Sequence, residues 1–195
     1  MSASQDGPRW GNAVSRALGR AALRLFGWTI DVHLPPEPKL VIAAAPHTSN
    51  WDGFFAVATI LALGLRINWF AKDSLFRGPF RGILIWLGGV PISRDKARGV
   101  VEQTADIFAA KERIFIAVAP EGTRSRSPVW KSGFWQIATA TGAPIVTAYL
   151  DYAKKRVGTG PTIRPSGDYA ADLARIQAFY RGITPKNPAD FAAEG

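Results

Sequence analysis

One histidine and one aspartate near the start of the chain have the spacing of a possible acid–base pair. His47 lies in a polar turn after the apolar run 40–45, and Asp52 opens the next apolar run. Residues 48–50 between them supply the hydroxyl and amide groups that favour a helix start. If His47 folds back over that helix start, the carboxylate can hold one ring nitrogen as N–H and leave the other free to accept a proton. Such a pair, with no adjacent nucleophile, is suited to deprotonating a substrate hydroxyl.

The same two residues also have an ordinary interpretation. His47 could be a turn histidine without a chemical role. Asp52 could simply stabilise the helix, since a carboxylate is favourable at the positive end of the helix dipole. The motif alone does not choose between these interpretations.

Two further segments could bind an anionic substrate. Residues 120–126 read Pro-Glu-Gly-Thr-Arg-Ser-Arg. Arginine can clamp a phosphate with two hydrogen bonds, and glutamate can hold a hydroxyl. Residues 88–94 form an apolar turn that ends at Arg94. Each segment taken by itself would more often be a solvated surface loop.

Short apolar runs alternate with helical patterns from residue 39 onward, and they must position these segments. This alternation predicts a single α/β domain at residues 39–183, with a mostly parallel central sheet flanked by helices. Because ligand sites in such sheets gather at the carboxyl ends of strands, we expect His47 and Glu121 to share one pocket. The predicted strands are 40–45, 67–71, 114–119 and 145–150, and the predicted helices are 51–63, 80–87, 96–111 and 133–141.

Beyond the fourth strand, residues 158–160 read as a turn in a Gly- and Pro-rich segment. Asp168 is expected to cap a last helix that reaches Tyr180. Residues 184–195 are assigned to a C-terminal tail, loosely packed after Pro185.

Residues 1–30 are predicted to contain an N-terminal amphipathic helix. Apolar residues recur every three or four positions between Trp10 and Trp28, while arginines recur every four. This pattern is typical of a helix lying in a membrane interface, and equally of a helix packed on the core with a solvated arginine face. No run is long and uninterrupted enough for us to expect a membrane-spanning helix.

The composition narrows the classes of function. The formal net charge of +9 calls for an anionic partner: nucleic acid, a membrane surface or a phosphorylated substrate. The seven tryptophans and 11 phenylalanines favour a lipid interface. With no cysteine and two histidines, thiol catalysis and a Cys- or His-rich metal site are excluded.

Taken together and in this order, the three segments resemble the glycerolipid acyltransferases, the family of 1-acylglycerol-3-phosphate O-acyltransferase. The first family block, a histidine, four residues and an aspartate, matches His47 and Asp52. The second, a glycine six positions before an arginine, matches Gly88 and Arg94, and the third, Glu-Gly-Thr-Arg-Ser, matches residues 121–125. A fourth block, an apolar strand with a proline, is matched in part at residues 144–146.

The resemblance implies transfer of a fatty acyl group from acyl-CoA or acyl-ACP to the free hydroxyl of a lysophospholipid, first of all 1-acylglycerol-3-phosphate. It implies His47 as the general base and Asp52 as its partner, with no tightly bound cofactor and no metal. Together with the basic N-terminal helix, it predicts a peripheral, monotopic protein on the cytoplasmic face of a membrane. The substrate-binding residues that it implies are Lys72, Arg94, Glu121, Gly122, Thr123, Arg124, Ser125 and Lys131.

Alternatives remain at this point. The acceptor could be another lysolipid, such as lyso-ornithine lipid, or a glycolipid. A non-catalytic basic protein that binds membranes or nucleic acid is the rival class, although anion binding alone does not require a His–Asp pair, and we expect no nucleic-acid partner. Four aromatic residues are candidates for the acyl path, although ordinary core positions are the commoner role of such residues: Phe54, Phe76, Phe80 and Trp86.

Overall fold

A seven-stranded sheet surrounded by six α-helices forms the described part of the chain, residues 7–92, 99–127 and 129–192 of a computed structural model. The strands are β1 (Thr29–Asp31), β2 (Lys39–Ala44), β3 (Ile67–Lys72), β4 (Gly89–Ile92), β5 (Ile114–Val118), β6 (Ile145–Asp151) and β7 (Arg156–Ile163). The helices are α1 (Ala13–Leu25), α2 (Asn50–Leu63), α3 (Arg81–Trp86), α4 (Val100–Ala109), α5 (Gly133–Thr141) and α6 (Tyr169–Tyr180).

The strand order across the sheet is β1-β7-β6-β2-β5-β3-β4, and every neighbouring pair is parallel except β6 with β7. The predicted α/β class with a mostly parallel sheet is therefore confirmed. The central strands β5, β2 and β6 lie side by side and point the same way. Their carboxyl ends consequently meet at one edge of the sheet.

Alternate residues of β2 serve the two faces of the sheet. Val41 and Ala43 join a core cluster with residues of α4, α5 and α6, whereas Leu40 and Ile42 join a cluster on the opposite face. All four are almost fully buried, as expected for a parallel strand covered on both sides.

The N-terminal helix α1 packs against α2. A side chain at Gly19 would lie 2.5 Å from the Ala58 carbonyl oxygen, so the glycine permits the close approach of the two helices. Leu23 and Trp28 are buried beside Phe55, and β1 joins the sheet. The N-terminal segment thus shares the core of the domain. Among the described helices, none is long and apolar enough to cross a bilayer.

The structure corrects the interpretation of residues 158–160 as a turn, since they lie within β7, between β6 and β1. The glycines suit this place because a side chain at Gly158 would meet the Asp31 carbonyl oxygen at 2.4 Å. One at Gly160 would meet the Phe179 ring at 2.3 Å. The sequence prediction also omitted β1 and β4. Of the predicted helix 96–111, the part up to residue 98 lies outside the described residues.

Residues 186–192 are held by hydrogen bonds, whereas the chain after Pro185 was expected to be loosely packed. Asn187 donates two hydrogen bonds to Thr48, from its backbone N–H to Oγ1 at 3.2 Å and from its side chain to the carbonyl oxygen at 2.9 Å. The Trp130 indole N–H donates to the Ala192 carbonyl oxygen at 3.1 Å. The C-terminal segment therefore fastens the turn that follows β2.

Candidate active site

The turn between β2 and α2 carries the predicted histidine and delivers it to the edge of the sheet. β2 ends at Ala44 and α2 begins at Asn50, with a cis peptide bond between Ala45 and Pro46. His47 is half-buried, and its Nδ1 lies 3.5 Å from Oδ2 of Asp52. The two side chains that sequence analysis paired are therefore adjacent, with Nδ1 facing the carboxylate, and Nε2 makes no hydrogen bond to any of the described residues.

The side chain of Asp52 is buried, with 4% of its surface exposed, and several hydrogen-bond donors hold it in place. Oδ2 accepts the backbone N–H groups of Thr48 at 2.7 Å and Ser49 at 2.8 Å. Oδ1 accepts the Ser49 hydroxyl at 3.0 Å and the Tyr152 hydroxyl at 2.6 Å. Burial by itself raises the pKa of Asp52, but the interactions with His47, Tyr152 and the backbone outweigh it and lower the pKa below its ordinary value. Asp52 is thus a carboxylate at neutral pH.

Glu121 lies directly behind the turn. Its Oε2 accepts the backbone N–H of His47 at 2.9 Å, which joins the carboxyl ends of the neighbouring strands β5 and β2. The residue is 4% exposed, and its Oε1 has no hydrogen-bond partner among the described residues. Burial raises the pKa of Glu121 to about 7, although the His47 backbone hydrogen bond opposes the shift. Glu121 therefore contacts the His47 turn, and its contact with substrate stays a prediction.

Gly122 allows the next loop to turn sharply beside Lys131. Its φ of 68° lies in the left-handed region, and a side chain there would lie 2.7 Å from the Lys131 side chain. The Lys131 backbone N–H donates to the Pro120 carbonyl oxygen at 2.8 Å. The exposed Arg124 donates a short hydrogen bond to the side-chain oxygen of Asn50, the first residue of α2. Both cations therefore lie next to the His47 turn.

A cleft of about 680 Å³ opens in front of His47. Its polar end contains five of the predicted residues: Gly122, Thr123, Arg124, Ser125 and Lys131. Its apolar wall is formed by residues of β3, α4, β5 and α5, chiefly Phe70, Val100, Val101, Val118, Phe134 and Ile137. A site that is polar at one end and apolar along the rest suits an amphiphilic ligand.

Not every predicted residue lies in this cleft. Arg94 and the side chain of Lys72 lie outside the described residues. The acyl-path candidates Phe54, Phe80 and Trp86 are exposed elsewhere and Phe76 is buried, so none of the four lines the cleft. Within residues 7–92, 99–127 and 129–192, no three acidic or histidine side chains are grouped as a metal site requires.

Sequence analysis missed Tyr152, which comes directly after β6 and reaches Asp52 from a position 100 residues further along the chain. A usable signal was present, because the strand-end argument that joined His47 to Glu121 applies equally to the end of strand 145–150. The apolar cleft wall was also missed, including Val100 and Val101 on the predicted helix 96–111.

The chain belongs to the Acyltransferase family, whose family model matches residues 30–151. It is similar to the 1-acyl-sn-glycerol-3-phosphate acyltransferase of Escherichia coli K12, with 30% identity over 143 residues. The match covers 68% of this chain and 57% of the relative, so the chain spans little more than half of that protein's length. A chloroplastic 1-acyl-sn-glycerol-3-phosphate acyltransferase of Brassica napus is 32% identical over 126 residues, 62% of this chain and 35% of the relative.

The fold also resembles a solved structure. The crystal structure of the 1-acyl-sn-glycerophosphate (LPA) acyltransferase from Thermotoga maritima superimposes with a TM-score of 0.57 at 17% identity. The match covers 87% of this chain and 77% of that one. At this level of identity the likeness supports the fold.

Proposed function

We propose that this protein is an O-acyltransferase that transfers a fatty acyl group from a thioester donor to the free hydroxyl of a lysophospholipid. The observation that carries the proposal is the His47–Asp52 pair at the polar end of a cleft with an apolar wall. The 1-acyl-sn-glycerol-3-phosphate acyltransferases among its relatives make the corresponding lysophosphatidic acid the first acceptor to test.

In the proposed mechanism, Asp52 holds the Nδ1–H of His47, and the free Nε2 takes the proton of the acceptor hydroxyl. The hydroxyl oxygen attacks the thioester carbonyl, so a C–O bond forms and a tetrahedral oxyanion results. When the oxyanion collapses, the C–S bond breaks and the imidazolium returns the proton to the departing sulfur. The chain has no cysteine, and direct transfer requires no acyl-enzyme.

The N-terminus of α5 is proposed to stabilise the oxyanion. Gly133 and Phe134, the first two residues of α5, line the cleft together with His47. The first N–H groups of a helix have no partner within the helix, and the helix dipole adds positive charge at that end. Backbone donors of this kind stabilise the charge that develops on an acyl oxygen.

Arg124 and Lys131 are proposed to bind the acceptor phosphate. Both line the cleft near His47 and are exposed, so a phosphate reaches them without displacing core residues. Arg124 then exchanges its contact with Asn50 for a charge-assisted hydrogen bond to phosphate. The hydroxyls of Thr123 and Ser125 border the same position. The apolar wall is left for an acyl chain.

Membrane attachment through α1 is part of the proposal. An apolar stripe of α1 faces away from the core, although Leu23 on the same helix is buried: Val14 is 65% exposed, Leu18 63% and Leu25 81%. An ordinary core-packed helix would bury these residues, so the exposure favours the interface interpretation. Phe26 continues the stripe to Trp51, which immediately precedes Asp52, with ring centroids 5.6 Å apart. We therefore propose a peripheral protein of the cytoplasmic membrane face whose active site lies beside the bilayer.

The test is an acylation assay with the purified chain, a labelled acyl-CoA or acyl-ACP, and a panel of lysolipids in vesicles. The panel contains lysophosphatidic acid, lysophosphatidylethanolamine, lyso-ornithine lipid and a monoacylglycerol, with products identified by mass spectrometry. The proposal predicts phosphatidic acid as the main product and its loss in His47→Ala. Preferred acylation of another lysolipid would move the proposal to that acceptor. No product from any acceptor would favour a non-catalytic basic binding protein.

A further inference from the structure

The Tyr152 hydroxyl occupies the side of Asp52 that faces away from His47. It bonds Oδ1 at 2.6 Å, whereas Oδ2 is the oxygen nearest to the imidazole, 3.5 Å from Nδ1. A carboxylate can only accept hydrogen bonds, so the tyrosine must be the donor. Burial and the bond to Asp52 both raise the pKa of the Tyr152 hydroxyl, which keeps it protonated in its donor form.

The ring of Tyr152 is fixed by three separate parts of the chain. Trp28, just before β1, meets it edge-on with ring centroids 5.0 Å apart, and Phe55 of α2 meets it at 6.1 Å. The Lys186 ammonium lies over the ring, 5.6 Å from its centroid. A hydroxyl on a ring held in this way has a defined direction, so it can orient the carboxylate that it bonds.

The turn itself orients Asp52 incompletely. The donors that bond the carboxylate from within the chain segment around it, Thr48 and Ser49, belong to the same turn as His47. Both backbone N–H donors bond Oδ2, so within the turn Oδ1 is held only by the rotatable hydroxyl of Ser49. Tyr152 differs because it comes from the end of β6, a central strand of the sheet. It is therefore the hydrogen-bond donor that links Asp52 to the central sheet.

We propose that Tyr152 is a positioning residue for the His47–Asp52 pair: its hydroxyl fixes the Asp52 carboxylate so that Oδ2 holds the Nδ1–H tautomer of His47. For catalysis this inference rests on the proposed acyl transfer, whereas the effect on the tautomer does not. Without the hydroxyl, the carboxylate can turn away from the imidazole, and Nε2 is less often free to accept the substrate proton.

The test compares Tyr152→Phe with Tyr149→Phe, a matched control. Tyr149 lies three residues earlier, on β6, but its hydroxyl faces Asp31 at 3.5 Å and takes no part in the site. Tyr152→Phe is expected to lower kcat about 10–100-fold, the usual effect of one hydrogen bond to a charged group, with both Michaelis constants nearly unchanged. In an Asp52→Ala background the same change should have no further effect. Tyr149→Phe should behave as wild type.

A second measurement needs no substrate. The chain has two histidines, so nitrogen NMR of the imidazole rings separates His47 from His33 with a single His33→Gln variant. At a pH where the rings are neutral, Tyr152→Phe is expected to shift His47 from the Nδ1–H towards the Nε2–H tautomer, and Tyr149→Phe is not. If wild type acylates no lysolipid, the proposed function fails, while this measurement still decides the role of Tyr152.

The proposal is overturned by any of three results: wild-type kcat in Tyr152→Phe, an equal loss of kcat with and without Asp52, or an unchanged His47 tautomer. If Tyr152→Phe is too unstable to assay, 4-aminophenylalanine at position 152 supplies a ring with a donor in the same place. The proposal predicts near-wild-type kcat for that variant and a folded protein, and a folded but impaired variant contradicts it.

Discussion

The backbone N–H of His47 donates a hydrogen bond to Oε2 of Glu121, and the two atoms are 2.9 Å apart. The bond crosses from the carboxyl end of β2 to that of β5, neighbouring parallel strands in the centre of the sheet. It fixes the backbone of the candidate base rather than its ring. It also ties the two polar segments of the site into one unit, so that the histidine turn and the basic loop around Arg124 share a common support.

The same carboxyl group makes stability depend on pH. The pKa of Glu121 is raised from an ordinary 4.5 to about 7, so the folded protein binds this proton more tightly than the unfolded chain. The resulting contribution to the free energy of unfolding is fully present below about pH 4.5 and is lost as the pH rises through about 7. Glutamine cannot ionise, so Glu121→Gln lacks this pH dependence. Its free energy of unfolding, relative to that of wild type, should therefore rise by on the order of 1–3 kcal/mol between pH 5 and pH 8.

Thermal unfolding of both proteins at several pH values between 5 and 8 measures this difference. Glu112→Gln is a suitable control because Glu112 is exposed, and its unfolding curve should follow that of wild type. If the wild-type and Glu121→Gln melting temperatures stay parallel over the whole range, Glu121 does not titrate there.

Arg124 is expected to distinguish acceptors that carry a phosphate from acceptors that do not. Arg124→Ala should raise the Michaelis constant for lysophosphatidic acid roughly 10-fold or more, since a charge-assisted hydrogen bond is lost. For a monoacylglycerol the effect should stay within about twofold. Steady-state kinetics with both acceptors checks this, and Arg126→Ala, on the same loop but outside the cleft lining, is the control. Equal effects on the two acceptors would assign Arg124 a structural role.

Leu18 tests the exposed stripe of α1. Leu18→Glu places a charge at a position that is 63% exposed, so the stability of the fold should change little. Binding to anionic vesicles should weaken markedly, because an inserted carboxylate is costly and anionic lipids repel it. Ala140→Glu adds the same charge at an exposed position of α5, on the other face of the sheet, and should bind as wild type. Co-sedimentation with the vesicles measures binding. An equal loss of binding in both variants would mean that net charge, rather than α1, determines it.

Sequence reasoning succeeded where local pattern and sheet geometry agree. The helix at residues 133–141 was predicted at its observed bounds, and Asp168 caps α6 as expected by accepting the Ala171 N–H. His47 and Glu121 were expected to lie together because both follow parallel strands, and a hydrogen bond does join them, although Glu121 does not line the cleft. That expectation needed only the strand direction, which the alternation of strands and helices provides.

It failed where distant parts of the chain decide the outcome. Gly158, Gly160 and Pro161 are poor strand formers by themselves, yet β7 forms because β6 and β1 pair with it on both sides. Asn187 looked like part of a loose tail because nothing in its neighbourhood indicates its hydrogen bonds to Thr48. Such contacts join positions far apart in sequence, and residue spacing does not reveal them.

The rate of acyl transfer in His47→Ala tests the central claim most directly. Wild type and variant are compared with labelled acyl-CoA and lysophosphatidic acid at equal protein concentration, after circular dichroism and thermal unfolding have shown that both are folded. Removal of the general base should lower kcat by at least roughly 10²–10⁴-fold. A folded His47→Ala variant that acylates lysophosphatidic acid at nearly the wild-type rate would contradict the account.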